Sequence, residues 1–190
     1  MFRIASCLII ACLWPVSSIA DESSFQNLLA EANMQFEVPE TFATTPTRAN
    51  RLMHYEQALV SPDGQIEARY SIRPLSRIKI DYSDAHSATP EPNHLFPLIF
   101  QALIGYLSNS GHNPSNEYPQ DQAKSEFGAD WASAALMDIK PEFSEQHSQA
   151  LLLAMHKNDM ADAYTIVLFD DYATQKEAIR AALAALSFNK

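Results

Sequence analysis

The chain has 190 residues and is acidic, with 23 Asp and Glu against 13 Lys and Arg for a formal charge of −10. That balance argues against nucleic acid and anionic lipid as partners unless a local basic patch exists. Hydrophobic residues make up 47% of it, enough for a packed core and too many for a disordered chain.

Residues 1–20 combine Arg3, an apolar run from Ile4 to Val16 and the small-residue end Ser18-Ile19-Ala20. This predicts a secretory leader cleaved after Ala20 and a protein that works in the periplasm or outside the cell. The run is shorter than the roughly 20 apolar residues a permanent span needs, and nothing after it is longer. Ile9-Ile10-Ala11-Cys12 offers the alternative of a lipid-modified cysteine. Cys7 and Cys12 both lie in the leader, so the cleaved chain has no disulfide, no cysteine nucleophile and no thiolate metal site. Residues 21–190 suit one domain with a single core.

Ser23-Ser24-Phe25-Gln26 has capping-box spacing, and Phe25, Leu28, Leu29 and Ala32 recur as one helical face, predicting a short first helix. Met34 to Val38 reads as a strand, and Thr41 to Asn50 as polar connection. Met53 to Val60 and Gln65 to Arg73 read as strands joined by the turn Ser61-Pro62-Asp63-Gly64. After a loop from Tyr82 to Asn93, Leu95, Leu98, Ile99, Ala102, Leu103 and Tyr106 mark a helix that Asn93 is placed to cap. Ser108 to Pro119 is rich in turn residues. Gln120 to Phe127 predicts a short helix stopped by Gly128, followed by a strand from Trp131 to Ile139.

Ala150 to Met155 and Tyr164 to Phe169 are nearly continuous apolar runs, which predicts strands buried on both faces with His156 to Asp162 as the loop between them. Thr174-Gln175-Lys176-Glu177 again fits a capping box, and Ala178, Ile179, Ala182, Leu183 and Leu186 give the last helix its apolar face. Strands covered twice need layers on both sides. The expected architecture is therefore an α+β fold in three layers, an antiparallel sheet sandwiched between helices.

This order of elements, with the opening Phe36-Glu37-Val38-Pro39-Glu40-Thr41-Phe42 and the close Ala185-Leu186-Ser187-Phe188, resembles the PsbP-like fold superfamily, which includes DcrB-like envelope proteins. The resemblance implies a scaffold used mainly for binding other proteins, with no common catalytic residues to carry over.

His156, Asn158, Asp159, Asp162, Asp170 and Asp171 concentrate metal-binding and proton-moving groups, but without the alternating spacing of a calcium loop. Turn and cap roles fit them better: Asn158 and Asp159 in the turn, Asp170 or Asp171 at the start of the last helix. The six histidines are scattered, with no helical pair for zinc, and no Gly-x-Ser-x-Gly elbow is present. The four glycines stand too far apart to cradle a phosphate. No metal or cofactor is expected.

From Gln65 to Tyr82, Ile66, Ala68, Tyr70, Ile72, Ile78, Ile80 and Tyr82 fall at even positions, while Arg69, Arg73, Arg77 and Lys79 all fall at odd ones. If the chain stays extended across Pro74, they form one basic stripe able to dock an acidic partner or an anionic headgroup. The alternative is the wet face of a strand, with Pro74 bending the chain. Trp131 is a candidate anchor for a partner, or a seal at a strand entrance.

The expected function is a non-catalytic envelope binding protein, an adaptor or assembly factor for another envelope protein. The first alternative is a carrier of a small apolar or anionic ligand held between sheet and helix. The second is a hydrolase whose site assembles only in space, with His54, His156 and Asp162 as candidates.

Overall fold

In the computed structural model, which describes residues 17–80, 90–110 and 113–190 with side chains from Ser24 onward, all nine residues of the strand Ala161–Phe169 are buried. A strand is dry on both faces only where something covers each of them. The chain supplies both covers. It begins with α1 (Ser17–Glu31), β1 (Met34–Phe36) and β2 (Ala43–Thr45), then the hairpin β3 (Gln57–Val60) and β4 (Glu67–Pro74). There follow α2 (Phe96–Leu107), β5 (Ser115–Glu117), α3 (Gln120–Phe127), β6 (Trp131–Asp138), β7 (Gln149–Lys157), β8 (Ala161–Phe169), α4 (Tyr172–Ala184) and β9 (Leu186–Phe188).

Seven strands form one sheet in the order β2-β3-β4-β8-β7-β6-β5, with every pair antiparallel. β1 and β9 pair separately, joining Gln35 to Ser187 across 152 positions of sequence. Side chains along a strand alternate between its faces, so β8 feeds two cores. Ala163, Val167 and Phe169 join Phe25, Leu28 and Leu29 of α1, Phe127 of α3 and Ile179 of α4. Tyr164, Ile166 and Leu168 face the other way and pack with Phe100, Ile104 and Leu107 of α2 and with Met53 and Phe143 from loops. The result is the expected three-layer α+β arrangement. One cover is three helices plus the β1-β9 pair; the other is one helix helped by loops.

Local chemistry placed several boundaries. Gly64, at φ +71°, turns the β3-β4 hairpin, and Ser61 Oγ donates to Asp63 there at 2.6 Å. Gly128, at φ +65°, ends α3. Asp171 caps α4 by accepting from the amides of Ala173 and Thr174, so the helix starts before the predicted box at Thr174. Other boundaries differ from expectation. α1 already runs through Ser23, so that residue lies inside the helix and not at its cap. The supposed connection from Thr41 to Asn50 contains β2, and the strand expected from Met53 begins only at Gln57. Ser115–Glu117, in the turn-rich stretch, adds β5 at the sheet edge. The expected leader as far as Val16, most of the expected Tyr82 to Asn93 loop, and Gly111 and His112 lie outside the described residues. Among the described residues no helix is long and apolar enough to cross a membrane.

Candidate binding cleft

β3 accompanies β4 only as far as the Gln57 and Tyr70 pair, so Ser71 to Pro74 has no strand on that side. An exposed strand edge leaves amides and carbonyls without partners. Here the segment before β3 supplies them. Glu56 N–H donates to the Tyr70 carbonyl at 2.9 Å, and Ile72 N–H donates to Glu56 Oε2 at 3.1 Å. Arg73 ties the segment down: Nη1 donates to Glu56 Oε1 at 2.7 Å and to the Ile72 carbonyl, and Nη2 donates to the His54 carbonyl. Ser71 Oγ also donates to the His54 carbonyl.

Among the described residues a cleft lies on each side of the end of β4. A cleft of about 360 Å³ lies under α2, with Asp162 and Tyr164 of β8 at its floor and Met53, Ile99 and Leu103 among its walls. A second, of about 420 Å³, lies toward α1 and is bounded by Leu28, Ile72 and Arg77. His54, Arg73 and Ile78 border both. The His54 side chain is 77% exposed and that of Arg73 is 38% exposed, so both stand at the mouth.

Behind the floor lies a buried pair. His156 Nδ1 meets Asp162 Oδ1 at 2.7 Å, and each side chain is 2% exposed. The pair was expected in a loop; the structure corrects this. His156 and Asp162 are register partners in β7 and β8, and the turn is only Asn158 to Met160, with Asp159 at φ +60°. Asp and Asn tolerate that left-handed conformation better than most residues. Phe96 of α2 stacks on the His156 ring at 4.0 Å, and His156 Nε2 reaches Asn158 Oδ1 at 3.3 Å. Asn93 does not cap α2 as expected. It exchanges two hydrogen bonds with Asp159, one to its carboxylate and one from its amide. At the other end of α2, Lys140 Nζ donates to the carbonyls of Gly105 and Tyr106. α2 is thus pinned at both ends, with its middle over the cleft.

Tyr164 is 3% exposed. Burial pushes its phenol well above the usual range; Asp162 adds to the shift and Arg73 opposes it. Its hydroxyl has no hydrogen-bond partner among the described residues.

The residues singled out in the sequence are dispersed. Pro74 ends β4 and Leu75–Arg77 form a 3₁₀ turn, so the alternation does not continue to Lys79. Arg69 is buried, its guanidinium 5.0 Å from the Tyr55 ring centre and 4.7 Å from that of Phe143. Its Nε donates to Glu67 at 2.7 Å and its Nη1 to the Phe143 carbonyl at 2.8 Å. Arg77 grips Glu31, whose carboxyl its hydrogen bonds hold below the ordinary carboxylate range. Lys79 is exposed. Only Arg73 borders a cleft under α2. Trp131 packs on Phe96 and Phe100 and seals the joint between α2 and the sheet. Of the residues proposed for a site assembled in space, His156 and Asp162 meet and His54 sits across the cleft. Among the described residues no cluster of three His, Cys, Asp or Glu side chains could hold a metal ion.

No protein-family model matches this chain, and no curated protein matches it. The chain is similar to the solution structure of cyanobacterial PsbP (CyanoP) from Synechocystis sp. PCC 6803, with 83% of this chain and 88% of that chain covered, 8% identity and a TM-score of 0.45.

Proposed function

We propose that this protein works by binding, outside the cytoplasm and without catalysis, and that its ligand is a small apolar or amphipathic molecule held between α2 and the sheet. The observation that carries the reading is the cleft under α2. Its walls are Met53, Ile99 and Leu103, and its polar groups are confined to mouth and floor, the usual character of a small-molecule site. The leader supports a location beyond the cytoplasmic membrane. An envelope protein as partner remains part of the proposal, as the protein that would deliver or receive the ligand. The basic stripe no longer supports an adaptor surface, because Arg69 is buried, Arg77 is paired with Glu31 and the alternation breaks before Lys79.

N-phenylnaphthylamine, a neutral apolar dye that brightens out of water, tests the reading. Saturable binding is expected at one site, abolished by Ile99→Trp, which fills the cleft, in a variant whose circular dichroism is unchanged. Dye binding that survives Ile99→Trp, or no saturable binding at all, would sink it.

A further inference from the structure

We infer that the ligand of the cleft carries a carboxylate, which docks on Arg73 at the mouth while an apolar chain lies along Ile99 and Leu103. This rests on the reading of the cleft as a binding site and adds the chemical class of its occupant.

Two acids and one arginine border or underlie the mouth, and the acids are closed. Glu56 has one oxygen on Arg73 Nη1 and the other on the Ile72 amide, and its side chain is 11% exposed. Asp162 faces His156 at 2.7 Å with its side chain 2% exposed. Neither is free to receive a cationic head. Arg73 is open. A guanidinium has five N–H donors; among the described residues Arg73 uses two on Nη1 and one on Nη2. Its Nε–H and a second Nη2–H are left on a side chain 38% exposed. Both the fork geometry and the charge suit a carboxylate.

The three existing bonds do a second thing. They hold the guanidinium in place before any ligand arrives, so little side-chain freedom is lost on binding. His54 stands exposed beside it at the same mouth, its Nε2 3.5 Å from Glu56 Oε1. Glu56 also offsets the charge of Arg73, so the head is recognised by directed hydrogen bonds more than by net attraction. Selectivity should therefore exceed affinity.

Calorimetric titration with decanoate, decanol and decylamine, each below its micellar concentration, decides the matter on the unaltered protein. Decanoate is expected to bind about tenfold more tightly than decanol, as one charge-assisted hydrogen-bonded contact provides, and decylamine more weakly than either. Arg73→Gln is expected to remove that preference while decanol binding stays within about twofold, since its apolar contacts remain. Arg73→Lys, which keeps the charge and loses the fork, is expected to recover part of it. Decanol or decylamine binding as well as decanoate would overturn the carboxylate inference and leave the cleft reading standing. Undiminished decanoate preference in a folded Arg73→Gln would overturn it as well. No binding of any of the three would fell the cleft reading itself. Should Arg73→Gln not fold, the comparison of the three ligands on the native protein still decides.

Discussion

The two faces of the sheet are made by the same strands and differ in what they bury. Two tyrosines show the difference. Tyr70, on the face covered by α1, α3 and α4, donates its hydroxyl to the Ala182 carbonyl at 2.8 Å. Tyr164, on the face covered by α2, is buried to a similar depth and its hydroxyl has no partner among the described residues. Burial pushes both phenols up. The three-helix face has a closed hydrocarbon core around Phe25, Phe169 and Phe188, with its cleft at the margin toward α1. The α2 face buries Arg69, His156 and Asp162 and leaves a cleft beside them. Both faces keep space at the margin by the end of β4, but only under the single pinned helix do buried charged groups lie beside that space.

Truncating a buried group on each face should have the largest effects, by opposite mechanisms. Phe188→Ala leaves a cavity in the closed core and should cost about 3–5 kcal/mol. Arg69→Ala should cost a similar amount, because it strands the Glu67 carboxylate and the Phe143 carbonyl. Urea unfolding measures both. If Arg69→Ala were nearly neutral, the α2 face would be wet and the contrast wrong.

Adding volume should separate the faces next. A Cβ on Gly128 would meet the Phe188 carbonyl oxygen at 2.6 Å, and its φ is +65°. Gly128→Ala should therefore cost about 1–3 kcal/mol. Leu103→Phe, which grows into the cleft, should stay within about 1 kcal/mol of the parent. Equal losses for the two would mean that the cleft is not open space.

Removing hydroxyls gives a finer test. Tyr70→Phe should lose about 1 kcal/mol with its hydrogen bond, while Tyr164→Phe should be neutral or slightly stabilising because that hydroxyl has no partner to lose. Thr165, on the closed face, has a buried hydroxyl that is likewise unpartnered. Thr165→Val should also be tolerated, so the measure separates partnered groups from unpartnered ones on either face.

The smallest effect is electrostatic and sits at the sheet margin. The Ser148 hydroxyl, then its amide, hold Asp170 below the ordinary carboxylate range. A depressed carboxyl stabilises the fold above its unfolded value, near pH 4, and loses that contribution as pH falls through the folded one. Asp170→Asn should therefore lower the melting temperature slightly at pH 7 and not at pH 2. Loss of equal size at both pH values would assign the effect to shape.

Reading the chain by itself located what depends on neighbours in sequence. Ser61 to Gly64 made the turn it promised, Gly128 stopped α3, and the apolar runs of β7 and β8 were rightly expected to be covered twice. Part of the cleft was also legible. Counting back from a turn centred on Asp159 pairs Lys157 with Ala161 and His156 with Asp162, which would have placed those two side chains together instead of in a loop. The arginines could not be read in this way. Their spacing is local, but their partners are not: Glu56 lies 17 positions from Arg73, Glu31 lies 46 from Arg77 and Phe143 lies 74 from Arg69.

Composition, periodicity and turn chemistry thus determined the longer elements, their faces and the three-layer plan, because each depends on the backbone's preferences over a few residues. Tertiary structure alone decided that β3 leaves β4 early, that Glu56 and Arg73 complete the edge, and that α2 is pinned across the gap. Those outcomes depend on which distant segments arrive at the same place, and a side chain's charge is used up or left available by whatever packs beside it.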